Sequence, residues 1–69
     1  MGTKIINNTD LCFKELGEII DSIQFDYPAD TSYYGKRKLM RIKYKGKKIE
    51  INIKIMCYYV EWKFDFYED

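Results

Sequence analysis

The sequence predicts a small α+β domain spanning residues 1–69: a two-layer sandwich, β-α-β-β-β, with one helix packed on an antiparallel sheet of three to four strands. Three observations carry this prediction. Residues 40–66 alternate apolar and polar side chains over three successive runs. Residues 11–23 instead repeat their apolar side chains at spacings of three and four, the period of a helix. Hydrophobic residues make up 46% of the chain and aromatics 17%, enough to build a core and too many for a disordered polymer.

The first element, residues 3–7 "TKIIN", is a short strand whose neighbour the sequence does not specify. "NNTD" ends it, since Asn, Thr and Asp favour turns and caps. In the helix that follows, Phe13, Leu16, Ile20 and Ile23 share one stripe, which Ile19 widens, and Lys14, Glu15, Glu18, Asp21 and Ser22 face outward. With Cys12 as N-cap, Glu15 falls at the third helical position and Leu11 and Leu16 frame a hydrophobic staple. Asp10 competes for the cap. Gly17 weakens the helix, so a close approach of helix to sheet is expected there.

Residues 24–35, "QFDYPADTSYYG", form the long irregular stretch. Its aromatics include Tyr27, Tyr33 and Tyr34, which either close over the core or face a partner. One helix is narrower than three or four strands, so extra cover is expected, with Tyr33 or Tyr34 on the sheet edge or a second copy of the chain as its source.

The meander comes next. Met40, Ile42 and Tyr44 face inward in its first strand, Ile49, Ile51, Ile53 and Ile55 in its second, and Tyr58, Val60, Trp62, Phe64 and Phe66 in its third. Two-residue turns at Gly46-Lys47 and Met56-Cys57 keep these residues on one face, although Met and Cys are poor turn formers and a longer second connection is the alternative. On the other face these turns predict four rows: Lys45, Lys48 and Asp65; Lys43, Glu50 and Lys63; Arg41, Asn52 and Glu61; Leu39, Lys54 and Tyr59.

The formal charge of +1 conceals a division, −4 over residues 1–35 and +5 over residues 36–69. On a helix-over-sheet sandwich this places acidic side chains on the helix and basic ones on the far side of the sheet. Catalytic signatures are absent from the sequence. There is no His to serve as base or ligand, and the carboxylates are spread over exposed faces. The Gly-Lys at 35–36 lacks the rest of a phosphate loop, and Cys12 and Cys57 lie too far apart to suggest a zinc site. The chain therefore reads as non-enzymatic and without cofactor. It shows neither a signal peptide nor a membrane span, and its two cysteines read as reduced thiols of a cytoplasmic protein.

Two binding readings follow. A protein partner, or a second copy, would meet the acidic helix (Glu15, Glu18, Asp21), the aromatic stretch (Tyr27, Tyr33, Tyr34) or an open sheet edge. A nucleic acid would be met by Lys36, Arg37, Lys38, Arg41, Lys43, Lys45, Lys47, Lys48, Lys54 and Lys63. Most of that basic run alternates with core residues, leaving residues 36–38 and the Lys45, Lys47 and Lys48 cluster as the stronger anion-binding candidates.

The segment "TKIINNTDLCFKE", residues 3–15, resembles the opening of small uncharacterised proteins of Gram-positive bacteria and their phages. The resemblance covers about a fifth of the chain, and Cys12 stands where a Ser is expected. It implies a phage or mobile-element accessory protein that binds and modulates a host protein, as anti-CRISPR inhibitors do, and it assigns no functional residue.

Overall fold

The computed structural model describes residues 2–23 and 35–68. Their elements run β1 (Gly2–Asn7), α1 (Phe13–Ser22), β2 (Arg37–Tyr44), β3 (Lys47–Ile55) and β4 (Tyr59–Phe66). The four strands form one sheet in the order β1-β4-β3-β2. This is the predicted α+β sandwich. The β2-β3 and β3-β4 pairs are antiparallel, and β1 joins β4 in parallel, so the sheet is mixed.

The core lies on the face toward α1. Ile49, Ile51 and Ile53 of β3 and Val60, Trp62 and Phe64 of β4 are buried together with Leu11, Leu16 and Ile19. Ile5, Ile20, Ile23, Met40, Ile42 and Tyr44 pack around them, half-buried. The two central strands therefore bury their inward side chains from Ile49 to Ile55 and from Val60 to Phe64, whereas β2 at the edge buries none completely. Two inward assignments do not hold. Tyr58 falls in the connection before β4 and is 83% exposed, and Phe66 lies at the sheet's end, largely exposed beneath the Lys47 ammonium.

Both hairpins are shifted by two residues from the predicted register. Ile42, rather than Tyr44, lies opposite Ile49, and Val60, rather than Tyr58, lies opposite Ile55. The first shift comes from the turn. Lys45 and Gly46 form it with φ of 49° and 79°, the pair of positive values that a type I′ turn requires and that matches strand twist. Gly46 fills its position without strain; Lys45 accepts the left-handed region while its Nζ lies 3.5 Å from Glu15. The second shift comes from a longer connection over 56–58, closed by the Met56 N–H on the Tyr59 carbonyl at 2.9 Å. A shift of two leaves every side chain on its face, so the core survived the change and only the cross-strand partners altered.

Side chains of residues 7–10 set the link from β1 to α1. Asn7 Nδ2 donates to the Leu11 carbonyl at 2.8 Å, and Asn7 Oδ1 accepts the Thr9 backbone N–H at 3.0 Å. Thr9 Oγ1 in turn accepts the Leu11 N–H at 3.1 Å. Leu11 is thereby pinned into the core below Leu16, as the staple predicts. Phe13 is displaced by the same arrangement. It lies on the helix stripe but in the first turn, where Leu11 already fills the core, and it is 75% exposed.

Cys12 is the N-cap in extended conformation, and its N–H donates to Glu15 Oε1 at 3.3 Å. The Cys12 hydrogen bonds, backbone first, hold the Glu15 carboxyl below its ordinary range, and Lys45 lowers it further. A carboxyl with a depressed folded pKa stabilises the fold above its unfolded pKa and loses that contribution as pH falls through the folded value. Glu15→Gln should therefore lower the urea midpoint at pH 7 more than at a pH below the folded pKa of Glu15, where the carboxyl is protonated in both states. An equal loss at both pH values would remove Glu15 from the cap.

Gly17 does not mark a close approach of helix and sheet. A Cβ built there meets nothing within 4 Å. Gly17→Ala should stabilise the protein by up to about 1 kcal/mol, a rise of several degrees in Tm for a chain of this size. A lower Tm would mean that the position serves a contact outside the described residues.

Candidate binding face

Register fixes what the far face of the sheet presents. The line across the strands at one end reads Arg37, Lys54, Glu61 and Lys4. The next reads Leu39, Asn52, Lys63 and Ile6. Beyond it come Arg41, Glu50 and Asp65, and then Lys43 and Lys48. Seven cations share this face with three carboxylates.

The charges are unevenly spread. In the middle, Arg41 Nε lies 3.3 Å from Glu50, and its guanidinium stacks 4.8 Å above the Tyr67 ring. Glu50 and Asp65 face each other as like charges, which Arg41 and the Asn8 amide (2.8 Å from Asp65) relieve. Around Glu61 the balance is different. Arg37, Lys54 and Lys63, with Asn52 and Glu61, line a shallow cavity of about 250 Å³. Lys4 completes the group, 3.7 Å from Glu61 and 6.0 Å above the Tyr59 ring. Four cations thus surround one carboxylate, leaving an excess of positive charge in a concavity. Leu39, 57% exposed on β2, supplies an apolar patch beside it.

The predicted basic residues divide accordingly. Arg37, Lys54 and Lys63 are brought together. Arg41 is engaged by Glu50, and Lys43 faces Lys48 at the far end. Lys45 and Lys47 leave the face altogether: Lys47 Nζ is 2.8 Å from Asp10, and Lys45 pairs with Glu15. Two of the three lysines of the turn cluster expected to grip an anion are therefore spent on tying the hairpin to the helix and the segment before it, while Lys48 stays on the far face. Lys36 and Lys38 carry the inward parity, so only Arg37 of the 36–38 trio reaches the far face. Sequence reasoning missed Lys4. Its alternation with Ile5 was visible, but its place beside Glu61 depends on β1 pairing with β4.

The acidic helix is also altered as a surface. Glu15 turns to Lys45, and Glu18 Oε2 accepts the Tyr44 hydroxyl at 3.0 Å. Partial desolvation, then the Glu18 carboxylate, push the Tyr44 hydroxyl above its usual pKa, while the Tyr44 and Glu15 charges raise that of Lys45. Asp21 remains exposed. Part of the charge division between the halves of the chain thus clasps the helix and its approach to the hairpin, through Glu15–Lys45 and Asp10–Lys47. Tyr27, Tyr33 and Tyr34 lie outside the described residues.

Cys12 and Cys57 are both free and exposed. Among the described residues no group of three His, Cys, Asp or Glu side chains could hold a metal ion, and no helix is long and apolar enough to cross a membrane. No protein-family model, curated protein or solved structure matches the chain.

Proposed function

We propose that the chain is a small non-enzymatic binding protein that holds an acidic partner protein against the basic end of its sheet. The observation that carries this reading is the grouping of Lys4, Arg37, Lys54 and Lys63 about Glu61, with exposed Leu39 beside them. A charged rim next to an apolar, Arg- and Tyr-bearing patch is the anatomy of a protein interface. The engagement of Glu15 and Glu18 within the fold moves weight from the helix to the sheet as the working surface. The likeness of residues 3–15 to phage accessory proteins supports a host protein as the partner and inhibition or modulation as the outcome. The test is capture from a nuclease-treated lysate of a Gram-positive host at about 50 and 300 mM salt. One protein retained in stoichiometric amount at low salt and released at high salt is expected. Retention of nothing under either condition would reject the reading.

The cationic cavity itself favours a second reading, the backbone of a nucleic acid, because Arg37, Lys54 and Lys63 line one concavity. Anisotropy titrations with single- and double-stranded DNA and RNA at about 100 mM salt separate the two. Binding with a steep salt slope would transfer the function to nucleic acid.

A further inference from the structure

β2 ends the sheet among the described residues. Its hydrogen-bonding pattern shows which groups it leaves open. The Ile55 N–H donates to the Lys36 carbonyl, and Tyr44 faces Lys47 across the turn, so the even-numbered residues of β2 exchange bonds with β3. The N–H and C=O groups of Leu39, Arg41 and Lys43 consequently point away from the sheet. The strand runs eight residues with no Pro, Gly or bulge to blunt it.

Side chains along this edge differ by face. Arg37, Arg41 and Lys43 project to the far side, whereas Met40, Ile42 and Tyr44 line the core side and are only half-buried. No acidic residue occurs in β2. Two copies of the strand are poor partners for each other. Antiparallel pairing centred on Met40 would set Arg37 of one copy against Lys43 of the other, and pairing centred on Arg41 would set arginine against arginine.

We propose that β2 binds an extended acidic segment of the partner protein by strand addition, a claim that rests on the protein-binding reading above. The segment alternates carboxylates, which meet Arg37, Arg41 and Lys43, with apolar side chains, which continue the core past Met40 and Ile42. Main-chain hydrogen bonds to Leu39, Arg41 and Lys43 hold it in register.

Amide exchange tests this on the intact chain. The probe is a capped eight-residue peptide alternating Glu with Val. Controls are a peptide of the same composition in two blocks and one with Lys for Glu. The alternating peptide should slow exchange at the Leu39, Arg41 and Lys43 amides at least tenfold at saturation, and the controls should not. Leu39→Pro removes an outward donor without touching the bonds to β3 and should abolish the effect; if that variant fails to fold, Lys43→Glu should weaken peptide binding at least fivefold. No slowing, equal slowing by the Lys peptide, or slowing at β1 instead overturns the proposal. So does slowing without peptide that grows with protein concentration, which would give the edge to a second copy. A captured host protein that binds without slowing these amides overturns strand addition and leaves the binding reading standing; failure to capture any partner removes both.

Discussion

Trp62→Ala should leave the protein largely unfolded at 25 °C. Trp62 is 1% exposed at the centre of the sheet, between Ile53 on β3 and Ile5 on β1, with its ring 6.4 Å from and nearly parallel to that of Phe64. Truncating a buried Trp to Ala costs about 3–5 kcal/mol, from lost transfer energy and the cavity left behind. A domain of this length has a total stability of about 3–10 kcal/mol, so one substitution removes most of it. Urea unfolding followed by circular dichroism provides the measurement. With a slope near 1 kcal/mol per molar urea, the midpoint should fall by about 3 M or the folded baseline should vanish. A midpoint within about 0.5 M of wild type would mean that Trp62 does not anchor the core.

The second large effect concerns binding. The triple variant Arg37→Glu, Lys54→Gln, Lys63→Glu should raise the Kd for the acidic partner at least about 100-fold, or 2.7 kcal/mol, with little change in Tm. Lys54 takes Gln so that no new carboxylate faces Glu61. Arg37 and Lys63 are exposed, so their reversal is expected to disturb the fold little. Two reversals and one neutralisation move the formal charge from +1 to −4, which opposes encounter as well as contact. Surface plasmon resonance at two salt concentrations separates the two effects: most of the loss should lie in the association rate and shrink as salt rises. The variant Lys45→Gln, Lys47→Gln should leave the Kd within about threefold, because both lysines are engaged with Glu15 and Asp10 on the helix side. Equal loss in both variants would show that net charge, and not the cavity, governs binding.

How far these features could be read from the sequence depends on the range of the interaction involved. The strands were legible because Ile49, Ile51, Ile53 and Ile55 alternate without exception, and alternation is decided by the residues themselves. The helix start was legible because Leu11, Cys12, Glu15 and Leu16 satisfy one another within six positions. Register was less so. "YKGKKI" admits a turn at Gly46-Lys47 or at Lys45-Gly46, and the choice follows from strand twist and a Lys45–Glu15 pair that joins distant residues. Phe13 was assigned by periodicity alone, which takes no account of Leu11 filling the same space. The binding face suffered most, since its cavity follows from the β2-β3-β4 register and its fourth cation from β1. A six-residue strand has no marker of parallel pairing, and without that pairing Lys4 cannot be set beside Glu61.

The β1-β4 pair also bears on how the chain reaches its native state. Gly2 lies opposite Tyr59, and Asn8 bonds Asp65 across a separation of 57 residues. The two hairpins close over turns of two and three residues, so they can form in microseconds on local contacts. The parallel pair must wait for a loop that encloses nearly the whole chain, and its entropy is lost before any ladder bond is gained. During synthesis β1 emerges first yet finds its neighbour last. Lys4 therefore joins Arg37, Lys54 and Lys63 around Glu61 only when that final contact closes, after the meander has shaped the cavity those three line.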